Sequence, residues 1–78
     1  MVYCDYIKHD NTSVTYAYGG TVEDLSGELK FHFIKDAVEV VKKPETEDAP
    51  MRHIMRLYGK HKANFVNGIF EDKISYES

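Results

Sequence analysis

Residues 29–35 read LKFHFIK, the clearest strand pattern in the sequence. Large apolar side chains alternate with other residues, which is the period of a strand that buries one face. The residues predicted to face the core are Leu29, Phe31 and Phe33. The residues predicted to lie on the more solvated face are Lys30, His32 and Ile34. A sheet with one apolar face needs a second layer to cover it, so the rest of the chain must supply both further strands and a covering layer.

Two segments before this strand have the same patterning, residues 2–9 (VYCDYIKH) and residues 13–18 (SVTYAY). Turn-forming residues at 10–12 separate them, so we expect the two segments to pair as a hairpin. The core positions of the second segment are Val14, Tyr16 and Tyr18. The glycine pair at 19–20 is predicted to end this strand, or to introduce a bulge beyond which residues 21–22 continue it.

After the central strand, a short reversal at 35–36 leads into residues 37–42 (AVEVVK), which are predicted to form a fourth strand. Pro44 has no N–H to donate to a neighbouring strand, so this strand should end before it. The first half of the chain is therefore predicted to be an antiparallel β-meander.

Residues 51–66 show the apolar period of an amphipathic helix. The residues on its apolar half are Met51, Ile54, Met55, Leu57, Tyr58, Phe65 and Val66. The acidic segment 44–48 precedes the helix, with Asp48 expected as the N-cap and Pro50 in the first turn, where its missing N–H costs nothing. Gly59 disfavours a helix by about 1 kcal/mol relative to alanine, so a break near Gly59 is the alternative.

The helix is expected to end by residues 67–68, and residues 69–76 are predicted to form a short final strand or an ordered tail. The predicted fold is thus one α+β domain over residues 1–78, an antiparallel β-meander of about four strands with one amphipathic helix packed on one face. The predicted core joins strand and helix through six residues: Leu29, Phe31, Phe33, Ile54, Leu57 and Tyr58.

Composition excludes several classes of protein. Hydrophobic residues make up 42% of the chain and charged residues 29%, which is typical of a globular domain and not of a disordered one. A single cysteine, no leader pattern and no long apolar run predict a cytoplasmic protein without disulfides or a membrane span. The net charge of −3 argues against a general affinity for nucleic acid or anionic membranes.

No catalytic motif is recognisable: the sequence has no glycine-rich phosphate loop, nucleophile elbow or HExxH. Cys4 and His9 would point to opposite faces of a strand, and His53 and His61 would lie about 12 Å apart along a helix, so neither pair can share a zinc ion. We therefore expect no enzyme activity, no cofactor and no metal. Cys4 is interpreted as a small buried hydrophobe. The position of His61 on the apolar side of the helix is explained either by a half-buried ring bonded to a backbone carbonyl or by a helix already broken at Gly59.

The predicted helix has the most distinctive surface, because residues 49–68 contain four bases and no acid. The candidate interaction residues are Arg52, Arg56, Lys60 and Lys62. They could form a solvated face, bind an acidic protein partner or contact phosphates. We predict a non-catalytic module that binds a protein or associates with itself, with a nucleic-acid-binding regulator using the helix at 51–62 as the alternative. A homodimer would form through an edge strand, either 37–42 or 69–76.

Overall fold

The computed structural model describes residues 1–77. Within this part of the chain, five strands and one helix occur in the order β1 (Val2–His9), β2 (Val14–Gly19), β3 (Gly27–His32), β4 (Ala37–Lys42), α1 (Met51–Val66) and β5 (Lys73–Tyr76). The strands form one antiparallel sheet in the spatial order β4-β3-β2-β1-β5, and α1 packs on one face of it. The predicted α+β architecture, with a helix on an antiparallel meander, is confirmed.

Helix α1 connects the two edges of the sheet. Strands β1 to β4 pair with their neighbours in chain order, and the chain then crosses the sheet along α1. On the far side β5 pairs with β1, where Val2 lies opposite Tyr76 and Asp5 opposite Lys73. The predicted C-terminal strand therefore exists, and β4 and β5 are the two edge strands.

Strand β5 begins at Lys73 instead of residue 69. The N–H of Ile69 donates to the carbonyl of Asn64 at 2.8 Å, so this residue continues the end of the helix. Gly68 has a φ of 77°, which reverses the chain after α1. The side chain of Phe70 then packs against the core. Residues 67–72 consequently form a loop that carries an aromatic anchor.

Strand β3 covers residues 27–32 instead of the predicted 29–35. Residues 33–36 form the turn to β4, and Asp36 adopts a left-handed φ of 62°. Phe33 is nevertheless only 6% exposed. Its predicted core position is confirmed, although its predicted place in the strand is wrong, because the turn keeps its ring under the helix.

Strand β2 ends at Gly19 and does not continue over residues 21–22. A Cβ atom on Gly19 would lie 1.8 Å from the carbonyl oxygen of Asp24, so only glycine admits this close backbone approach. Thr21 then forms an isolated bridge with Asp24. The glycine pair therefore ends the strand, and the predicted continuation beyond a bulge is wrong.

Helix α1 runs without a break through Gly59, which excludes the alternative of two helices. Its N-cap is Pro50, and no acidic residue lies in its first turn. The carboxylate of Asp48 instead accepts hydrogen bonds from the Tyr18 hydroxyl at 2.9 Å and from the N–H of Ala49 at 2.8 Å. The predicted N-cap is wrong because a largely buried tyrosine hydroxyl needs an acceptor, and Asp48 supplies it.

The core lies between α1 and the sheet, and the six residues predicted to join strand and helix are at most 6% exposed. The ring of Phe31 stacks 5.5 Å from that of Tyr58 and 5.6 Å from that of Phe65. Strand and helix therefore meet through aromatic rings. The other buried hydrophobic residues are Val2, Cys4, Val14, Tyr16, Tyr18, Ala49, Phe65 and Ile74.

Candidate interaction surface on helix α1

Three of the four basic residues of α1 point to solvent in one row. Arg52, Arg56 and Lys60 are exposed and follow one another at intervals of one helical turn. No carboxylate of residues 1–77 lies within ion-pair distance of these three side chains. Arg56 has one polar contact, from Nη1 to the hydroxyl oxygen of Tyr76 at 3.4 Å. The row is therefore available to a partner of opposite charge.

Lys62 lies apart from this row. Its Nζ is 2.9 Å from Oδ1 of Asp36, which also accepts a hydrogen bond from the Tyr58 hydroxyl at 2.8 Å. The bonds from Lys62 and Tyr58 lower the pKa of Asp36, so this carboxylate is charged at neutral pH. Lys62 thus connects α1 to the β3–β4 turn, and the candidate surface retains Arg52, Arg56 and Lys60 of the four predicted bases.

An apolar row runs beside the bases. Met51 and Met55, one turn apart, are 50% and 46% exposed, and Val66 near the end of the helix is 54% exposed. The prediction that these three residues belong to the buried half of the helix is wrong, because they lie at the edge of the helix face that contacts the sheet. The centre of that face consists of Ile54, Leu57 and Phe65. Flexible thioether side chains at such a margin adapt readily to a partner surface.

Between the two rows the helix carries only small side chains. Gly59 and Ala63 are exposed, and a Cβ atom on Gly59 would contact nothing within 4 Å. The helical period places Gly59 between Met55 and Arg56. Together these residues leave room for another chain to approach the helix backbone. We call the following set the outer α1 surface: Met51, Arg52, Met55, Arg56, Gly59 and Lys60.

His53 lies behind the outer α1 surface and is 9% exposed. Its Nδ1 is 2.8 Å from the α-amino nitrogen of Met1. Burial lowers the pKa of His53, and the positive charges of the Met1 ammonium, Arg52 and Arg56 lower it further, so the ring is neutral at pH 7. The sequence reasoning missed this burial; the available signal was its position one turn before the core residue Leu57.

His61 is partly buried, as predicted. Its side chain is 12% exposed, and its Nδ1 lies 3.5 Å from Oε2 of Glu71. Its ring stacks 6.2 Å from that of Phe65. Burial lowers the pKa of His61, and Glu71 acts in the opposite direction. The polar partner is therefore a carboxylate instead of the expected backbone carbonyl.

Cys4 is 2% exposed, and burial raises the pKa of its thiol to about 12. It is a protonated core residue, which confirms its interpretation as a small hydrophobe. Among residues 1–77, no three His, Cys, Asp or Glu side chains are grouped so as to hold a metal ion. Over the same residues, no helix has the length and apolarity needed to cross a bilayer.

A polar clip holds the linker between β4 and α1 against the β2–β3 loop. Oδ2 of Asp24 accepts hydrogen bonds from the Thr46 N–H at 2.8 Å and from the Thr46 hydroxyl. Oδ1 of Asp24 accepts from the Ser26 N–H at 3.1 Å and from its hydroxyl at 2.5 Å. These bonds lower the pKa of Asp24. The clip leaves the linker acids Glu45 and Glu47 exposed before the start of α1.

No protein-family model matches the chain, and no curated protein or solved structure is significantly similar to it. A function must therefore be inferred from the surfaces of this molecule. The outer α1 surface combines three bases that have no ion-pair partner among residues 1–77 with two half-exposed methionines.

Proposed function

We propose that the protein is a small non-catalytic module that binds an acidic, partly apolar segment of a partner protein through the outer α1 surface. One observation supports this most directly: three bases without a carboxylate partner among residues 1–77 lie beside two half-exposed methionines. Arginine and methionine are enriched at protein interfaces, and exposed apolar side chains in groups mark such sites.

Charge complementarity selects an acidic partner. The guanidinium groups of Arg52 and Arg56 can each donate two parallel hydrogen bonds to a carboxylate. The chain as a whole carries a net charge of −3, but acids far from the helix are screened beyond about 8 Å at physiological salt. Met51 and Met55 add apolar contact area beside the charges. A segment that alternates acidic and apolar groups matches both rows.

The proposed non-catalytic role is supported by the state of the reactive side chains. The thiol of Cys4 is buried, and burial raises its pKa to about 12, which disfavours the thiolate that a nucleophile or a metal ligand requires. His61 contacts Glu71, and His53 contacts the Met1 amino group. Neither of these two histidines is hydrogen-bonded to a hydroxyl or thiol within residues 1–77; the histidine that contacts a hydroxyl there is His9, whose Nδ1 lies 2.7 Å from the Tyr6 hydroxyl.

Nucleic-acid binding by the same bases is the alternative. Arg52, Arg56 and Lys60 could contact phosphates, and three such contacts would give a log–log salt slope of about −3. Against this, Glu45 and Glu47 are exposed in the linker that leads into the helix and would repel the same backbone. We expect no binding to mixed-sequence DNA tighter than roughly millimolar at about 0.15 M salt.

An NMR titration of ¹⁵N-labelled protein with a synthetic peptide of alternating glutamate and leucine tests the proposal. Amide shifts should concentrate in residues 51–60. Replacing both Arg52→Glu and Arg56→Glu should weaken peptide binding by about tenfold or more, since two charge-assisted contacts are lost. The matched control is Lys35→Glu with Lys43→Glu, which makes the same charge change at exposed positions outside α1 and should leave affinity within about twofold.

A parallel titration with mixed-sequence DNA distinguishes the two functions. Peptide binding that is equally weak in wild type and the double arginine variant contradicts the proposal. Micromolar DNA binding that the same double variant abolishes, with its fold retained, favours the nucleic-acid alternative instead.

A further inference from the structure

A groove of about 210 Å³ lies on the face of the sheet that α1 leaves uncovered. Thr15 forms part of its lining, and Thr15 lies between Val14 and Tyr16, which both face the core under α1. Because successive residues of a strand point to opposite faces, the Thr15 side chain points away from α1. The groove is therefore separate from the outer α1 surface, on the other side of the sheet.

Two lysines flank Thr15 in one cross-strand row. Lys8 of β1 is paired with Thr15, Thr15 is paired with Lys30 of β3, and both lysines line the groove. Neighbouring strands are about 4.8 Å apart, so the Cα atoms of the two lysines are separated by about 10 Å. Each lysine has a flexible four-carbon stem, so both ammonium groups can reach one ligand above Thr15.

A bulge in β1 puts Lys8 in this row. Tyr6 packs against the core opposite Tyr16, so a regular strand would point Lys8, two residues later, to the same face. The register shifts after Tyr6, with Ile7 as the extra residue, so that Lys8 points to the uncovered face instead. Bulges of this kind re-aim a side chain and are frequent beside functional sites. The bulge therefore brings a second ammonium group to the groove.

The hydroxyl of Thr15 is free to bind a ligand. Thr15 is only 5% exposed, and its hydroxyl makes no hydrogen bond within residues 1–77. No side-chain nitrogen or oxygen of this part of the chain is both fully buried and unpaired, so the hydroxyl reaches the surface of the groove. A largely buried polar group is normally hydrogen-bonded, and this one can donate only to a molecule in the groove.

The groove has an excess of positive charge. No carboxylate of the described residues lies within ion-pair distance of Lys8 or Lys30. Glu39, which is opposite Lys30 in β4, is 2.9 Å from Nε2 of His32 instead. Among the described residues Asp10 is the one carboxylate of the lining, and its Oδ1 accepts four hydrogen bonds within the β1–β2 turn. Two ammonium groups thus outnumber one carboxylate, so the groove attracts anions.

We propose that this groove binds the phosphate group of a small soluble molecule, with Lys8 and Lys30 supplying the charge and the Thr15 hydroxyl a hydrogen bond. A phosphate monoester has three terminal oxygens, one for each of these donors, and lysine is a common phosphate ligand. A carboxylate has two oxygens in a plane, which the arginine fork matches better. The net charge of −3 disfavours an anionic membrane, so a soluble ester is a better match than a lipid headgroup. The inference does not depend on the partner proposed for the outer α1 surface.

Methyl phosphate and acetate, each titrated into ¹⁵N-labelled protein at matched ionic strength, test the proposal. We expect methyl phosphate to shift the amides of residues 8, 15 and 30 and to bind about tenfold more tightly than acetate. Vesicles of phosphatidylcholine and phosphatidic acid present the same group on a membrane, and they should retain no more protein than phosphatidylcholine alone. Retention by the acidic vesicles, equal affinities for the two anions, or no saturable binding of methyl phosphate would overturn the proposal.

Thr15→Val is the sharpest variant, because valine keeps the branched shape of the side chain and removes the hydroxyl. It should weaken methyl phosphate binding by about threefold or more with the amide spectrum of the fold retained. Lys8→Gln with Lys30→Gln should weaken binding by about tenfold, whereas Lys43→Gln, exposed after the end of β4, should have no effect. Asp10→Asn removes the opposing charge and should tighten binding by about twofold. Wild-type affinity in Thr15→Val or in the double lysine variant would contradict the proposal.

Discussion

The ring of Tyr18 lies directly against Gly27, its cross-strand neighbour in β3, so that a Cβ atom on the glycine would be 2.6 Å from Cε1 of Tyr18. The same Cβ would lie 2.9 Å from Cδ of Pro44. Gly27→Ala should therefore destabilise the fold by about 1–3 kcal/mol, the usual cost of overpacking. Urea denaturation of the variant measures this, and an unchanged midpoint would show that the ring moves aside freely.

Gly59→Ala should have the opposite effect. Gly59 is exposed in the middle of α1, and an added Cβ would meet nothing within 4 Å. Alanine at this position should stabilise the protein by about 0.5–1 kcal/mol, because it restricts the unfolded chain and favours the helix. Urea denaturation is again the measurement, with Gly27→Ala as the contrasting variant. A loss of stability would indicate that α1 is not helical at this residue.

Phe31→Ala should remove the centre of the core. The ring is fully buried and stacks on both Tyr58 and Phe65. The expected loss is about 3–5 kcal/mol, which is much of the stability of a small domain. Ile34→Ala, at a position that is 63% exposed, is the control and should change stability by less than about 0.5 kcal/mol. Thermal melts of both variants by circular dichroism decide the matter, and equal melting temperatures would refute the core assignment.

Stability should fall on mild acidification. The pKa values of His53 and His61 are lowered in the folded protein, mainly by burial. Below about pH 6.5 the unfolded chain binds protons that the folded histidines do not, so the stabilisation present above that pH is lost as the pH decreases. Urea midpoints should decrease from pH 7 to about pH 5, above the range in which most carboxylates titrate. His53→Gln should flatten this dependence, and midpoints that rise on acidification would contradict it.

Self-association through a sheet edge stays a prediction. Strands β4 and β5 are the edges, and Val41 on β4 is 48% exposed. Unpaired edge groups favour pairing with a second copy, so we expect a homodimer at high micromolar concentration. Light scattering should report twice the chain mass, and Val41→Lys should restore the monomer, while Val66→Lys, at an exposed position on α1, should not. A mass of 9.0 kDa for the wild type would refute the dimer.

Elements with a strong local period were predictable from sequence. The bounds of β1, β4 and α1 agree with the patterning, and so does the row of Arg52, Arg56 and Lys60, because one-turn spacing alone places bases on a common helix face. The α+β class follows from the same patterns, since a meander and a helix that each have one apolar face must cover one another.

Features set by tertiary contacts were not predictable. Local rules predict Asp48 as the N-cap of the helix, but its carboxylate accepts a hydrogen bond from the hydroxyl of Tyr18, 30 residues away. Lys62 similarly forms an ion pair with Asp36, which no local pattern predicts. The exposure of Met51 and Met55 depends on which side of α1 contacts the sheet. The position of the sheet under the helix cannot be predicted from the periodicity of one segment.

The crossing of α1 over the sheet also has a consequence for synthesis on the ribosome. Among the described strands β1 is made first, yet its second neighbour, β5, is made last, and the paired Asp5 and Lys73 are 68 residues apart. Such a distant pairing requires closure of nearly the whole chain, so it forms late. Until then the nascent domain exposes the hydrogen-bonding edge of β1, and we expect this transient edge to be the point at which chaperones or other nascent chains engage it.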